Sequence, residues 1–98
     1  MTLLSYDAVA QTHKASIRGT LTDNSRLALS NVDIAVIQTD TNERRTTTTR
    51  EQGDFIITSL PPGPYRLEVQ QSGYKKYIRL LTLGVNQEIR LDVSLEIG

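Results

Sequence analysis

The sequence has no cysteine and no tryptophan, and it has a single histidine and a single phenylalanine. Without cysteine there is no disulfide, no thiol nucleophile and no cysteine-ligated zinc. One histidine cannot build a histidine-rich metal site, which needs three or four ligands. That residue, His13, sits in a polar N-terminal stretch and reads as a solvated side chain. Neither sign of charge is in excess, since 11 Lys and Arg balance 11 Asp and Glu. A nucleic-acid binder carries a basic surplus to neutralise phosphates, so nucleic acid is not an expected partner. No window approaches the roughly 18 apolar residues of a membrane-spanning helix. No segment holds apolar residues at helical spacing over three turns. What these absences leave, in 98 residues, is one small domain with a modest core and no deep cleft between lobes.

Residues 1–14 show no period and are expected to form a disordered arm. Within it Ala8-Val9-Ala10, followed by Gln11, matches the small-x-small pattern left at a signal-peptidase site. The preceding Met1 to Asp7 is too short and polar for a complete hydrophobic segment. The match therefore reads either as the tail of a signal peptide or as chance.

From Ala15 to Gly98 the pattern changes to short β-type runs separated by turn residues, the signature of an all-β sandwich. The runs are Ala15–Thr22, Val32–Thr39, Arg44–Arg50, Phe55–Thr58, Tyr65–Gln70, Tyr74–Leu83 and Glu88–Ile97. In the first, Ile17, Gly19 and Leu21 share one face. In the second, Val32, Ile34 and Val36 form a buried face. The third is polar on both faces, and its threonines suit an exposed edge. Glu51-Gln52-Gly53-Asp54 is a tight turn, with Gly53 free to take positive φ. Leu60-Pro61-Pro62-Gly63-Pro64 is a rigid connection that breaks the ladder. In the last run Ile89, Leu91, Val93, Leu95 and Ile97 alternate with polar residues, the cleanest two-residue period in the chain.

No constellation of reactive groups emerges. Asp23, Asp33, Asp40, Glu43, Glu51 and Asp54 fall at or beside loops, but a calcium site needs six to eight oxygens from closely spaced ligands, and turn chemistry accounts for these residues. Strand parity places Glu68, Glu88 and Asp92 outward on solvated faces. No histidine or lysine is placed by a motif to activate a serine or threonine, and no phosphate loop occurs. The expectation is no catalytic residue, no cofactor and no metal. Two stretches remain as possible interaction surfaces. Tyr74-Lys75-Lys76-Tyr77 interleaves aromatic and basic residues and suits an acidic or carbohydrate partner. Thr46 and Thr48 lie on the suspected edge strand, where unpaired backbone groups invite docking or dimerisation.

In order along the chain, the pieces Ile17-Arg18-Gly19-Thr20-Leu21-Thr22-Asp23, Gly53-Asp54-Phe55, Leu60-Pro61-Pro62-Gly63-Pro64-Tyr65-Arg66-Leu67-Glu68-Val69, Gly73-Tyr74 and Leu91-Asp92-Val93-Ser94-Leu95 resemble a carboxypeptidase regulatory-like domain. The resemblance covers residues 16–97 and implies a seven-stranded Greek-key sandwich of the transthyretin-like, or prealbumin-like, type. The marked residues belong to the scaffold: the prolines stiffen a corner, Tyr65, Leu67 and Val69 fill the core, and Phe55 is expected to be its largest side chain. The signal-like start, the Arg45-Thr46-Thr47-Thr48-Thr49 strand and the ending resemble the module at the N-terminus of TonB-dependent outer-membrane receptors. That implies a non-catalytic periplasmic accessory domain, with the rest of its own receptor chain as protein partner. The alternatives are a surface adhesin or spacer, or a regulatory domain of a metallocarboxypeptidase. Catalytic and cross-linking relatives fail on residues. Purine-pathway hydrolases of this fold need several histidines, and intradiol dioxygenases need two histidines on iron. Isopeptide-forming adhesin modules carry a glutamate where this chain has Val69.

Overall fold

The computed structural model describes residues 14–98; the N-terminal arm, the Ala8–Ala10 match and His13 lie outside the described residues. Seven strands follow one another: β1 (Ala15–Asp23), β2 (Asp33–Gln38), β3 (Arg44–Thr48), β4 (Asp54–Leu60), β5 (Gly63–Val69), β6 (Tyr77–Leu83) and β7 (Glu88–Leu95). They form two sheets, one ordered β4-β1-β7 and the other β3-β2-β5-β6. All neighbours are antiparallel except β1 and β7, which run parallel. This is the seven-stranded sandwich expected of the alternating pattern.

The alternation of β1, β4, β5 and β7 turns one face of each strand inward. Ile17, Leu21, Ile34, Val36, Phe55, Ile57, Leu67, Val69, Leu91, Val93 and Leu95 meet there as one core. Phe55 is buried, but Tyr65, a larger side chain, is buried in the same core, so Phe55 is not its largest member. Gly19 marks the closest approach in the sandwich. A Cβ at this position would stand 1.6 Å from the Leu91 carbonyl oxygen on the parallel neighbour, so only glycine lets β1 and β7 pair here. Gly53, at φ 78°, closes the β3–β4 turn by donating its N–H to the Arg50 carbonyl.

Several details differ from the sequence expectation, among them β7, which ends at Leu95 and leaves Ile97 exposed. The proline corner is shorter: β4 runs to Leu60 and β5 resumes at Gly63, so Pro61 and Pro62 alone connect them. Pro64 fits because it sits at the start of its strand, where its carbonyl accepts from the Thr39 N–H at 3.1 Å and its missing N–H costs one ladder bond. β6 starts at Tyr77, while Tyr74 forms a separate bridge to Ile97, beyond the end of β7. Thr49 and Arg50 fall outside β3. β2 is buried on both faces: its outward Ala35 and Ile37 are nearly inaccessible. Ile37 has Arg44 opposite on one side and Arg66 on the other, and the aliphatic stems of such long side chains cover apolar neighbours.

Polar groups inside are paired. The Thr49 hydroxyl donates to the Leu29 carbonyl at 2.8 Å and accepts from the Val32 N–H at 2.9 Å. Tyr65 donates its hydroxyl to the Pro61 carbonyl at 2.6 Å, which ties the core ring to the β4–β5 corner. Burial raises the Tyr65 hydroxyl above its ordinary pKa, against a smaller lowering by Arg45.

Candidate functional site

The two stretches singled out from sequence lie at opposite edges of the four-stranded sheet. β3 forms one edge and β6 the other, with β2 and β5 between them. Three strand spacings, about 14 Å, separate the edges, so the fold does not merge the stretches into one site.

At the first edge Thr46 and Thr48 are exposed, as an edge strand requires. Thr48 is not free: its hydroxyl donates to Asp33 Oδ1 at 2.9 Å. Thr46 stands opposite Ala35 on the rim of a shallow hollow of about 250 Å³, whose other walls include Asp33, Arg44, Glu68 and Gln70. Arg45, on the opposite face of β3, reaches across the open side of the sandwich. Its guanidinium donates to the Ser59 carbonyl at 2.7 Å and strings β3 to β4. Ser59 adopts a left-handed backbone, with φ 60°, and the β1–β4 register shifts nearby, between Ala15 and Ile17, so Arg45 holds the carbonyl of a residue turned out of the regular ladder.

The second stretch is tied down. The Lys75 N–H donates to the Glu96 carbonyl at 2.7 Å, and the Lys75 ammonium lies 3.6 Å from the Glu96 carboxylate. Lys76 lies 3.7 Å from Glu68. Tyr74 and Tyr77 are half-buried and pack against the core, so they do not offer the open stacking platform that a sugar ring needs, and the carbohydrate reading finds no support in their placement. Lys75, Lys76, Tyr77 and Glu96 line a cleft of about 210 Å³.

Glu68, Glu88 and Asp92 all point outward, Glu68 from β5 of one sheet and Glu88 and Asp92 from β7 of the other. Arg66 donates to Glu68 at 2.5 Å; that bond, then Lys76, holds the Glu68 carboxyl below its ordinary pKa. Asp92 is likewise lowered, chiefly by the Thr20 hydroxyl at 3.0 Å and then by Arg90. Glu88 pairs with Arg18. Lowered carboxyls are poor proton donors at neutral pH, so neither Glu68 nor Asp92 is tuned as a general acid. Among the described residues, no group of three potential metal-binding side chains gathers. A hollow of about 710 Å³ lies at the loop end beside Ser30, Asn31 and the β3–β4 turn, where Arg50 and Asp54 pair at 2.7 Å.

One surface escaped the sequence reading. On β6, Ile78 and Leu80 point outward and are 51% and 71% exposed. Tyr77, Leu81 and Leu83 of the same strand turn toward the core, so apolar residues fall on both parities and periodicity could not tell which face was free.

The fold and its surfaces define a small all-β sandwich whose marked residues are scaffold residues. A family model for the carboxypeptidase regulatory-like domain matches residues 16–96, and the chain belongs to that family. It is 32% identical over 94 residues to the TonB-dependent transporter Oar of Myxococcus xanthus. The match takes in 94% of this chain and 9% of that protein, so the chain spans a small fraction of its relative's length. Solved structures share the fold at low identity. The Bacillus anthracis TIE protein aligns over 87% of this chain and 17% of its own, with a TM-score of 0.72 and 18% identity. A catechol 1,2-dioxygenase of Acinetobacter radioresistens aligns over 96% of this chain and 55% of its own, with a TM-score of 0.72 and 13% identity. A streptococcal ancillary pilin aligns over 88% and 33%, with a TM-score of 0.67 and 18% identity. At these identities the likeness is one of fold.

Proposed function

We propose that this chain is a non-catalytic accessory domain of a TonB-dependent outer-membrane receptor, positioned in the periplasm and working by protein contact with the rest of its own chain. The observation that carries the reading is the 32% identity, across 94% of the chain, to a TonB-dependent transporter. Support comes from the surfaces described above: outward carboxylates neutralised by arginine or lysine, and a core without a buried reactive group. No helix among the described residues is long and apolar enough to cross a membrane.

Protease accessibility in cells tests the reading, using the full-length gene product with an epitope tag in the loop at Asn24. Fractionation with the outer membrane is expected, together with protection of the tag in intact cells and cleavage once the outer membrane is permeabilised. Cleavage of the tag in intact cells would place the domain outside and replace this reading with that of a surface adhesin or spacer. Recovery in a soluble fraction would remove the receptor altogether.

A further inference from the structure

β6 is an edge strand of the four-stranded sheet, paired only with β5 among the described residues. Edge strands are normally blunted with charge, proline or a covering segment, because they offer unpaired N–H and C=O groups to other chains. β6 reads Tyr-Ile-Arg-Leu-Leu-Thr-Leu, with a single charged residue and no proline. The direction of its free backbone groups follows from its neighbours. The Thr39 N–H donates to the Pro64 carbonyl, which turns the even-numbered residues of β5 toward β2. The odd-numbered Tyr65, Leu67 and Val69 then bond to their β6 partners Leu81, Arg79 and Tyr77. Ile78, Leu80 and Thr82 are left with backbone groups aimed away from the sheet, and Ile78 and Leu80 also carry the exposed apolar side chains. Ladder bonds and apolar contact are thus offered by the same residues.

We propose that β6 pairs antiparallel with β6 of a second copy of this chain, about a two-fold axis through Leu80, to make one continuous eight-stranded sheet. The sequence of the strand selects both the occupant and the register. β6 spans Tyr77–Leu83 and Leu80 is its midpoint, so this register alone pairs all seven residues of each copy. It sets Leu80 opposite Leu80 and Ile78 opposite Thr82 on the outer face. Arg79 faces Leu81 of the second copy. Just before the strand, Lys76 meets Gly84 and Lys75 meets the exposed Val85. Every cation therefore stands opposite an uncharged residue, whereas moving the axis one residue toward the N-terminus would put Arg79 against Arg79, and like charges directly opposite are destabilising; moving it one residue the other way shortens the paired stretch. β3 is a poorer mate for β6, since its outward Arg44, Thr46 and Thr48 would leave Ile78 and Leu80 without apolar neighbours. The proposal concerns self-association of this domain and does not depend on the receptor reading.

The core is closed within the chain, so the 98-residue protein is tested as it stands. Sedimentation equilibrium from micromolar to millimolar concentration is expected to show a monomer–dimer equilibrium. Leu80→Lys is expected to weaken it by about tenfold or more, and Thr48→Lys to leave it unchanged. The absence of native cysteine makes single cysteines clean reporters of register. Opposed residues in a bonded antiparallel pair lie about 5.5 Å apart at Cα, inside the roughly 4.4–6.8 Å span of a disulfide. Leu80→Cys is expected to cross-link on mild oxidation. Thr82→Cys alone is not, and the Ile78→Cys, Thr82→Cys double variant is. A monomer at every concentration, a dimer indifferent to Leu80→Lys, assemblies larger than two, or cross-linking at position 82 but not at 80 would each overturn the proposal. If Leu80→Lys fails to fold, the cysteine variants decide it alone.

Discussion

The four-stranded sheet ends in two edges built from opposite chemistries. β3 is arginine and threonine throughout, and its outward hydroxyls and cations keep water at the edge. It is also fastened from behind, by Arg45 to the Ser59 carbonyl and, just past its end, by Thr49 to Leu29 and Val32. β6 is apolar on both faces and is held mainly by its ladder with β5 and by Tyr77, Leu81 and Leu83 beneath it. A polar strand at an edge gains little from the core and needs specific straps. An apolar strand needs no strap, but it leaves surface uncovered. The same sheet thus shows one edge made safe against other chains and one left open to them.

The largest expected effect removes what both edges share. Leu67 is fully buried on β5, beneath the centre of the sheet, and Leu67→Ala is expected to cost about 2–5 kcal/mol, read as a lower urea midpoint. Next comes a change that should loosen β3 alone. Thr49→Val leaves the buried Val32 N–H and the Leu29 carbonyl without their partner, at about 1–3 kcal/mol; amide exchange should quicken around Val32 and across β3 while β6 keeps its protection. Arg45→Ala cuts the strap to β4 at about 1 kcal/mol, a surface value because the site is exposed, and faster exchange confined to Arg44–Thr48 would show it. Equal loosening of β6 in either variant would show that the edges are one cooperative unit and dissolve the contrast.

The smallest effect is seen through pH, at Glu68 on β5 and at Asp92 on β7 of the other sheet. Glu68 and Asp92 are held below their ordinary values, so the folded state keeps these carboxylates ionised where the unfolded chain already takes up protons. Their contribution is complete above the normal carboxylate range, about pH 5 and higher, and is lost as the pH falls through their folded values. Thermal unfolding should therefore shift down on acidification below that range, and Glu68→Gln should make the acid limb shallower. A steeper limb in the variant would contradict the sign.

How much of this was legible in the sequence depended on how local the signal was. β1 and β7 were readable because their alternation is clean and each polar residue lies beside its apolar neighbours in the chain. β3 was readable as an edge from its threonines. The outward burial of Ala35 and Ile37 was not, because what flanks them comes from Arg44, Arg66, Thr46 and Glu68 on the neighbouring strands, and cross-strand partners are set by register. The free face of β6 was hidden for a different reason, since both of its parities are apolar. Tyr74 and Tyr77 drew notice as aromatics beside lysines, yet the rings serve the core. The proline corner was located correctly but drawn too long, since Pro64 can begin a strand while Pro61 and Pro62 connect two.

The parallel pairing of β1 with β7 has a consequence in time. β1 is the central strand of its sheet, and Thr20 and Asp92, bonded across that pairing, are 72 residues apart. During synthesis the first strand therefore waits beside an empty position until nearly the whole domain has been made, and loop closure over such a span is slow to be repaid. A domain wired in this way resists folding strand by strand as it emerges and folds as a whole once complete.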